Sequence, residues 1–85
     1  MLHLRDGIVI EFSEGNDAYV LMDLDEGKVY KLNSTAHKML SSIENTGSLQ
    51  QYYDEVRDQA DDQTIRRDAS DYLNELISKG YVIDE

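Results

Sequence analysis

Three carboxylates recur at helical spacing in the last third of the chain. Asp68, Asp71 and Glu75 stand at positions i, i+3 and i+7. On a helix this spacing places them along one ridge, where they could attract the basic groups of a partner. The simpler interpretation is a solvated helix face, because Arg67 and Lys79 are each spaced at i,i+4 to neutralise one of these carboxylates. The sequence leaves both interpretations open.

The remaining reactive groups are too few for catalysis or for a metal site. The chain has no cysteine, and its only histidines are His3 and His37, the second without a histidine or acid at helical spacing. Residues 23–27 look like a calcium-binding loop, but Lys28 and Ser34 occupy the positions of the required glycine and glutamate. There is no nucleophile elbow and no phosphate-binding glycine loop. We therefore predict a protein that is not an enzyme and needs no metal or cofactor.

Size and charge restrict the classes of partner. The chain has 85 residues, with 18 acidic against 8 basic side chains and a net charge of -10. This length predicts one domain over residues 1–85. The negative charge repels phosphate backbones and anionic lipids, so we expect neither nucleic acid nor a membrane as partner. Without a secretory signal or a long apolar run, the chain is expected to be cytoplasmic.

The first third of the chain has the pattern of a β-meander. Alternating apolar residues at 8–12 predict a first strand, and the almost wholly apolar residues 19–24 predict a central strand covered on both faces. Residues 29–32 predict a short third strand at an edge of the sheet. Turn-forming residues at 13–17 and 25–27 join the strands, which favours an antiparallel sheet.

After Leu32 the apolar period changes from two to 3.6, which indicates helices. Their predicted boundary residues are Asn33 or Ser34 to Glu44, Ser48 to Ala60, and Asp61 or Asp62 to Gly80. The predicted inward residues of the third helix are Ile65, Ala69, Tyr72, Leu73, Leu76 and Ile77. The tail at 81–83 is expected to pack back on the core. The order of elements predicts an α+β fold, a three-stranded antiparallel sheet followed by three helices.

Two segments resemble the PqqD-like family. Residues 21–36 combine an apolar strand, an Asp, a glycine turn, an aromatic strand and a Leu-Asn helix start. In the C-terminal half, Asp68, Tyr72, Leu76 and the closing residues 79–82 resemble that family's last helix. The resemblance covers residues 18–83. It departs at the first helix, where members often carry Trp and this chain has Met39-Leu40, which alters the volume of a pocket.

The resemblance implies a winged-helix-like fold and a RiPP recognition element, a domain that binds the N-terminal leader of a ribosomally made precursor peptide. The leader would add as a strand along the third strand, against the third helix, and the core peptide would be presented to a separate enzyme. Taken as a complete chain, the protein is most similar to the stand-alone recognition proteins of lasso-peptide pathways. These work with a separate cysteine-protease-type leader peptidase and a cyclase. A PqqD-type peptide chaperone for a radical enzyme is the alternative within the family.

The resemblance also maps a peptide-binding site onto this sequence. Backbone groups of the third strand would bind the leader, Tyr72 would form a wall, and Asp68 and Glu75 would pair with basic leader residues. The opposite border of the helix, at Arg66 and Ile77, is the alternative flank. The predicted peptide-binding residues are Lys28, Val29, Tyr30, Lys31, Leu32, Asp68, Tyr72, Glu75 and Leu76.

Two other classes of protein remain for comparison. A winged-helix DNA-binding protein is disfavoured, because the third helix carries three carboxylates beside Arg66 and Arg67. A non-catalytic regulatory subunit could instead bind a folded partner through the same sheet edge. Neighbouring genes would separate these hypotheses, since a precursor-peptide frame beside a peptidase and a cyclase favours the lasso pathway.

Overall fold

The structure is a computed structural model that describes residues 1–85. Its elements in chain order are β1 (Leu2–Leu4), β2 (Ile8–Ser13), β3 (Ala18–Asp23), β4 (Lys28–Lys31), α1 (Ser34–Thr46), α2 (Gln50–Val56), α3 (Asp62–Ser78) and β5 (Val82–Asp84). Strands β2, β3 and β4 form an antiparallel sheet in that order. The predicted α+β fold, with a three-stranded antiparallel sheet followed by three helices, is confirmed.

The three-stranded sheet has two distinct faces because side chains alternate along each strand. Cross-strand pairing places Ile10, Leu21 and Tyr30 in one row on the inner face, where Leu21 belongs to the core. The neighbouring Val20 points to the outer face and is also buried. Each face of β3 therefore carries a buried side chain, as the sequence predicts for a central strand. Every residue of β4 is exposed, as expected for an edge.

A second sheet of two strands was not predicted. Strand β1 pairs antiparallel with β5, so that His3 lies opposite Ile83 and the two ends of the chain meet. The predicted packing of the tail on the core is correct, since Val82 is 1% exposed. A strand of three residues shows too little alternation to be recognised, and its partner here lies at the far end of the chain.

The first two helices differ from prediction mainly at their ends. The side chain of Asn33 accepts a hydrogen bond from the Ala36 amide and caps α1, which ends at Thr46, beyond the predicted Glu44, with Gly47 as its C-cap. Helix α2 is shorter than predicted and ends at Val56. Ala60, the predicted last residue of this helix, lies beyond it and is exposed.

Helix α3 is capped at both ends by residues that the sequence identifies. Asp61 accepts a hydrogen bond from the Thr64 amide at 2.9 Å. At the other end Gly80 adopts a φ of 80°, and its N–H donates to the carbonyl of Ile77, while the N–H of Tyr81 donates to the carbonyl of Leu76. This Schellman motif turns the chain toward β5.

The core lies between the inner face of the sheet and the helices. Its members are Ile8, Leu21, Met39, Leu40, Ile43, Leu49, Tyr52, Val56, Ile65, Ala69, Leu76 and Val82. Ile77 is 36% exposed, which corrects its predicted inward position. Helix α3 packs mainly on α2 and β5, and Ile77 is not among the core residues. None of the helices is long and apolar enough to span a membrane.

Candidate peptide-binding groove

Strand β4 presents unpaired backbone groups along its open edge. The N–H of Leu32 donates to the carbonyl of Tyr19 at 2.9 Å. Hydrogen-bonded pairs alternate along an antiparallel ladder, so the backbone groups of Tyr30 also face β3, to which β4 is paired. Those of Val29 and Lys31 point away from β3. Two residues thus offer an N–H and a carbonyl each to an added strand.

A depression of about 120 Å³ lies between this strand and α3. Its lining residues are Leu21, Tyr30, Lys31, Leu32, Tyr72, Glu75, Leu76, Lys79 and Tyr81. The predicted strand residues Tyr30, Lys31 and Leu32 therefore meet the predicted helix residues Tyr72, Glu75 and Leu76 across one opening. Lys28 and Val29 are exposed on the same strand but do not line it.

A second depression, of about 340 Å³, continues along α3 beyond the end of β4. Its lining residues are Asn33, Thr35, Met39, Tyr52, Asp68, Ala69 and Tyr72. Tyr72 lines both depressions and forms the wall between them. Of the predicted binding residues, Asp68 lines only the second depression, and Lys28 and Val29 line neither. We call the two depressions together the groove.

Two tyrosines of the groove are held in their protonated form. Burial raises the pKa of Tyr72, and the nearby charge of Glu75 raises it further. Burial likewise raises the pKa of Tyr52, with a contribution from Asp68. Both hydroxyls therefore remain neutral hydrogen-bond donors at physiological pH.

Tyr81 belongs to the groove, although the sequence predicted it only as part of the apolar tail. Its ring centroid lies 5.9 Å from that of Tyr30 on β4. Hydrogen bonding to Tyr30 raises the pKa of Tyr81 to about 12. The available signal was its position directly after Gly80, where the Schellman turn sends the next residue back across the end of the helix.

The carboxylates beside the groove are exposed and paired with neighbours on their own helix. Glu75 lies 3.0 Å from the ammonium group of Lys79, as the spacing predicts. Arg67, which was expected near Asp71, instead lies 3.6 Å from Asp68. Exposed pairs of this kind contribute little stability, about 0–1 kcal/mol. A basic partner could therefore replace the local cations at little energetic cost.

On the alternative flank of α3, Arg66 is engaged in other contacts. The guanidinium group of Arg66 lies 4.4 Å above the ring of Tyr53 and pairs with Asp62 at 2.9 Å. Neither Arg66 nor Ile77 lines the groove. Elsewhere, no group of three or more His, Cys, Asp or Glu side chains is placed to hold a metal ion.

An open sheet edge beside a helix, with apolar depressions between them, is the architecture of a domain that binds an extended peptide. The sequence profile of the family described as coenzyme PQQ synthesis protein D (PqqD) matches residues 18–82. The chain belongs to the PqqD family, whose members are non-catalytic domains that bind the leaders of ribosomally made precursor peptides. No curated protein and no solved structure matches the chain significantly.

Proposed function

We propose that this protein binds the leader of a ribosomally made precursor peptide as an additional strand on β4 and presents the peptide to separate processing enzymes. The observation that carries the proposal is the open edge at Val29 and Lys31, which lies beside the groove. Residues 1–85 would act as one peptide-binding unit. It would work in the cytoplasm, where precursor peptides are synthesised.

The groove would supply most of the binding free energy. Val29 and Lys31 offer four backbone groups, and each hydrogen bond contributes about 0.5–1.5 kcal/mol net. Micromolar affinity corresponds to about 8 kcal/mol after the entropic cost of association. The backbone ladder is therefore too weak alone, and leader side chains must fill the depressions on either side of Tyr72. Because strand side chains alternate, every second leader residue would face the groove.

An apolar row on the outer face of the sheet favours a folded enzyme as a second partner. Val9, Met22 and Val29 form an apolar row across all three strands, and Val29 is 57% exposed. Val20 beside them is buried but lies outside the core cluster. A leader added to β4 would extend the same sheet by one strand. An enzyme docked on this face would therefore contact the leader and the apolar row together.

We propose a leader peptidase of the cysteine-protease type and a cyclase of a lasso-peptide pathway as these enzymes. The absence of cysteine from the chain means that it cannot itself be that peptidase. A second candidate function, a peptide chaperone for a radical enzyme, is favoured by the description of the matched family as a coenzyme PQQ synthesis protein.

Proline substitution at the edge tests strand addition. Lys31→Pro removes an N–H that points away from β3, so the sheet keeps its own hydrogen bonds while the leader loses one. We expect calorimetry to show that binding to the leader encoded beside the gene is weakened by about two- to tenfold, the equivalent of one hydrogen bond, with an unchanged circular dichroism spectrum. Lys31→Ala, which keeps the N–H, should bind almost normally. Normal binding by a folded Lys31→Pro protein, repeated at Val29, would exclude strand addition here.

A further inference from the structure

Asp23, at the end of β3, carries a buried carboxylate with an unusually complete set of partners. Its side chain is only 3% exposed. One carboxylate oxygen accepts from the backbone N–H groups of Asp25 and Glu26, at 3.1 and 3.2 Å. The other accepts from the Arg5 guanidinium group at 3.0 Å. Since burial of an unpaired carboxylate is strongly unfavourable, Arg5 is needed to hold this turn in its present form.

Arg5 also reaches the turn through a second carboxylate. Its other terminal nitrogen donates to Asp25 at 3.1 Å, so the planar guanidinium group bridges two residues of the β3–β4 connection. Gly7 allows this close approach, because a Cβ at that position would lie 2.8 Å from the Asp25 carboxylate. The bridge fixes the start of β4 to the segment between β1 and β2.

The backbone of the same residue holds the opposite wall of the groove. The Arg5 N–H donates to the carbonyl of Tyr81 at 3.0 Å. Tyr81 lines the smaller depression opposite Tyr30, which is carried by β4. Arg5 therefore connects both walls at this end of the groove, although it does not line the groove. It also lies outside the residues matched by the family profile.

We propose that Arg5 is a positioning residue, which sets the separation of β4 and Tyr81 and thereby the size of leader side chain that the smaller depression accepts. This inference rests on the proposed function. A depression of about 120 Å³ has little spare room, so a small displacement of one wall changes which side chain fits. Lysine cannot reproduce the bridge, because it offers a point charge in place of a planar fork.

The test compares Arg5→Met with Arg66→Met, which removes the same charge from a surface ion pair on α3. Calorimetry would measure binding of the native leader and of leader variants in which each groove-facing residue in turn is replaced by Phe. The variant that matters is the one whose Phe falls at the smaller depression. For Arg5→Met we expect the preference for the native leader to fall by about tenfold, as when one well-placed contact is lost. Arg5→Lys should restore it only in part, and Arg66→Met should keep the preference of the unmodified protein. An unchanged preference in folded Arg5→Met would overturn the proposal.

Two further experiments apply if Arg5→Met does not fold or if the unmodified protein binds no leader. If Arg5→Met does not fold, Arg5→Met combined with Asp23→Asn removes the unpaired buried charge and should show the same fall in preference. The second measurement, NMR of the ring protons of Tyr30 and Tyr81 with isotope-labelled tyrosine, needs no leader. In Arg5→Met the contact between these two rings, whose centroids lie 5.9 Å apart in the structure, should weaken as β4 moves away. An unchanged ring contact would refute the positioning role even if the unmodified protein binds no leader, which by itself would refute only the proposed function.

Discussion

Tyr72 is the side chain that lines both depressions of the groove. Its ring is half-buried and separates the two depressions, and burial raises the pKa of its hydroxyl further above the physiological range. Aromatic residues at the centre of an interface often dominate binding, since they combine a large apolar area with a polar tip. The binding role of Tyr72 is therefore the first to test by substitution.

Replacing Tyr72 by Ala should weaken leader binding by more than about tenfold, because the wall between the two depressions disappears. Tyr72→Phe keeps the ring and should lose much less. Calorimetry with the leader measures both effects, and thermal denaturation checks that the variants are folded. Equal affinities for the Ala variant and the unmodified protein would show that the leader does not use this wall.

The acidic ridge can be separated from a solvated face by kinetics. Asp68→Lys and Glu75→Lys should slow association with a basic leader, and added salt should reduce the difference by screening the charges. Asp71→Lys is the matched control, since Asp71 is exposed on the same helix and lines neither depression. Stopped-flow measurements at two salt concentrations give the association rates. Equal effects at all three positions would indicate general attraction to an acidic surface.

At the scale of elements, the end of α3 links local conformation to the groove. Gly80 has a positive φ that other residues adopt only with strain, and its turn carries Tyr81 to the site. A Cβ at Gly80 would meet no atom within 4 Å. The preference for glycine here is therefore a matter of backbone conformation alone.

Gly80→Ala should lower the free energy of unfolding by about 1–2 kcal/mol, the cost of a left-handed conformation for a residue with a Cβ. Gly15→Ala is the control, because Gly15 has no positive φ and also has open space around it, so this change should raise the free energy of unfolding by about 0.4–1 kcal/mol through the unfolded chain. Urea denaturation followed by circular dichroism measures both values. Equal stabilities for the two variants would contradict this account of the helix end.

At the scale of the whole molecule, the proposed function gives the two faces of the sheet separate tasks. The inner face and β4 border the groove, and the apolar row on the outer face is free for a folded partner. The sheet is small, and an interface on three short strands alone would fall below the roughly 800 Å² per partner of stable complexes. A bound leader strand would enlarge this surface. The enzyme should therefore prefer the loaded protein.

Met22→Lys, in the centre of the apolar row, should leave leader binding by the isolated protein unchanged but slow leader removal by the separate peptidase. The lysine would place a charge in an apolar contact without touching β4's open edge. Leu24→Lys is a control at an exposed apolar residue of the β3–β4 turn, outside the row. Chromatographic assays of precursor cleavage measure the rate. Unaltered cleavage with folded Met22→Lys would remove the outer face as the docking surface.

Local signals in the sequence predicted most of the secondary structure, while the resemblance to the PqqD-like family supplied the expected site residues. Asn33, Asp61 and Gly80 mark helix ends through their own side chains or backbone preferences, so no distant contact is needed to recognise them. Helical spacing likewise placed Asp68, Tyr72 and Glu75 on one side of α3. The register of β4 was different, since its pairing with β3 determined that Val29 and Lys31 are the residues whose backbone groups face the open edge.

The sequence by itself determined the α+β class and the edge strand, because alternation, helical period and caps act over a few neighbouring residues. Only the tertiary structure paired β1 with β5, brought Tyr81 opposite Tyr30, and placed Arg5 against Asp23. Each of these contacts joins residues far apart in the chain, or elements too short to show a period. Their formation depends on the packing of the whole core and not on the preferences of the residues themselves, so pattern analysis alone did not identify them.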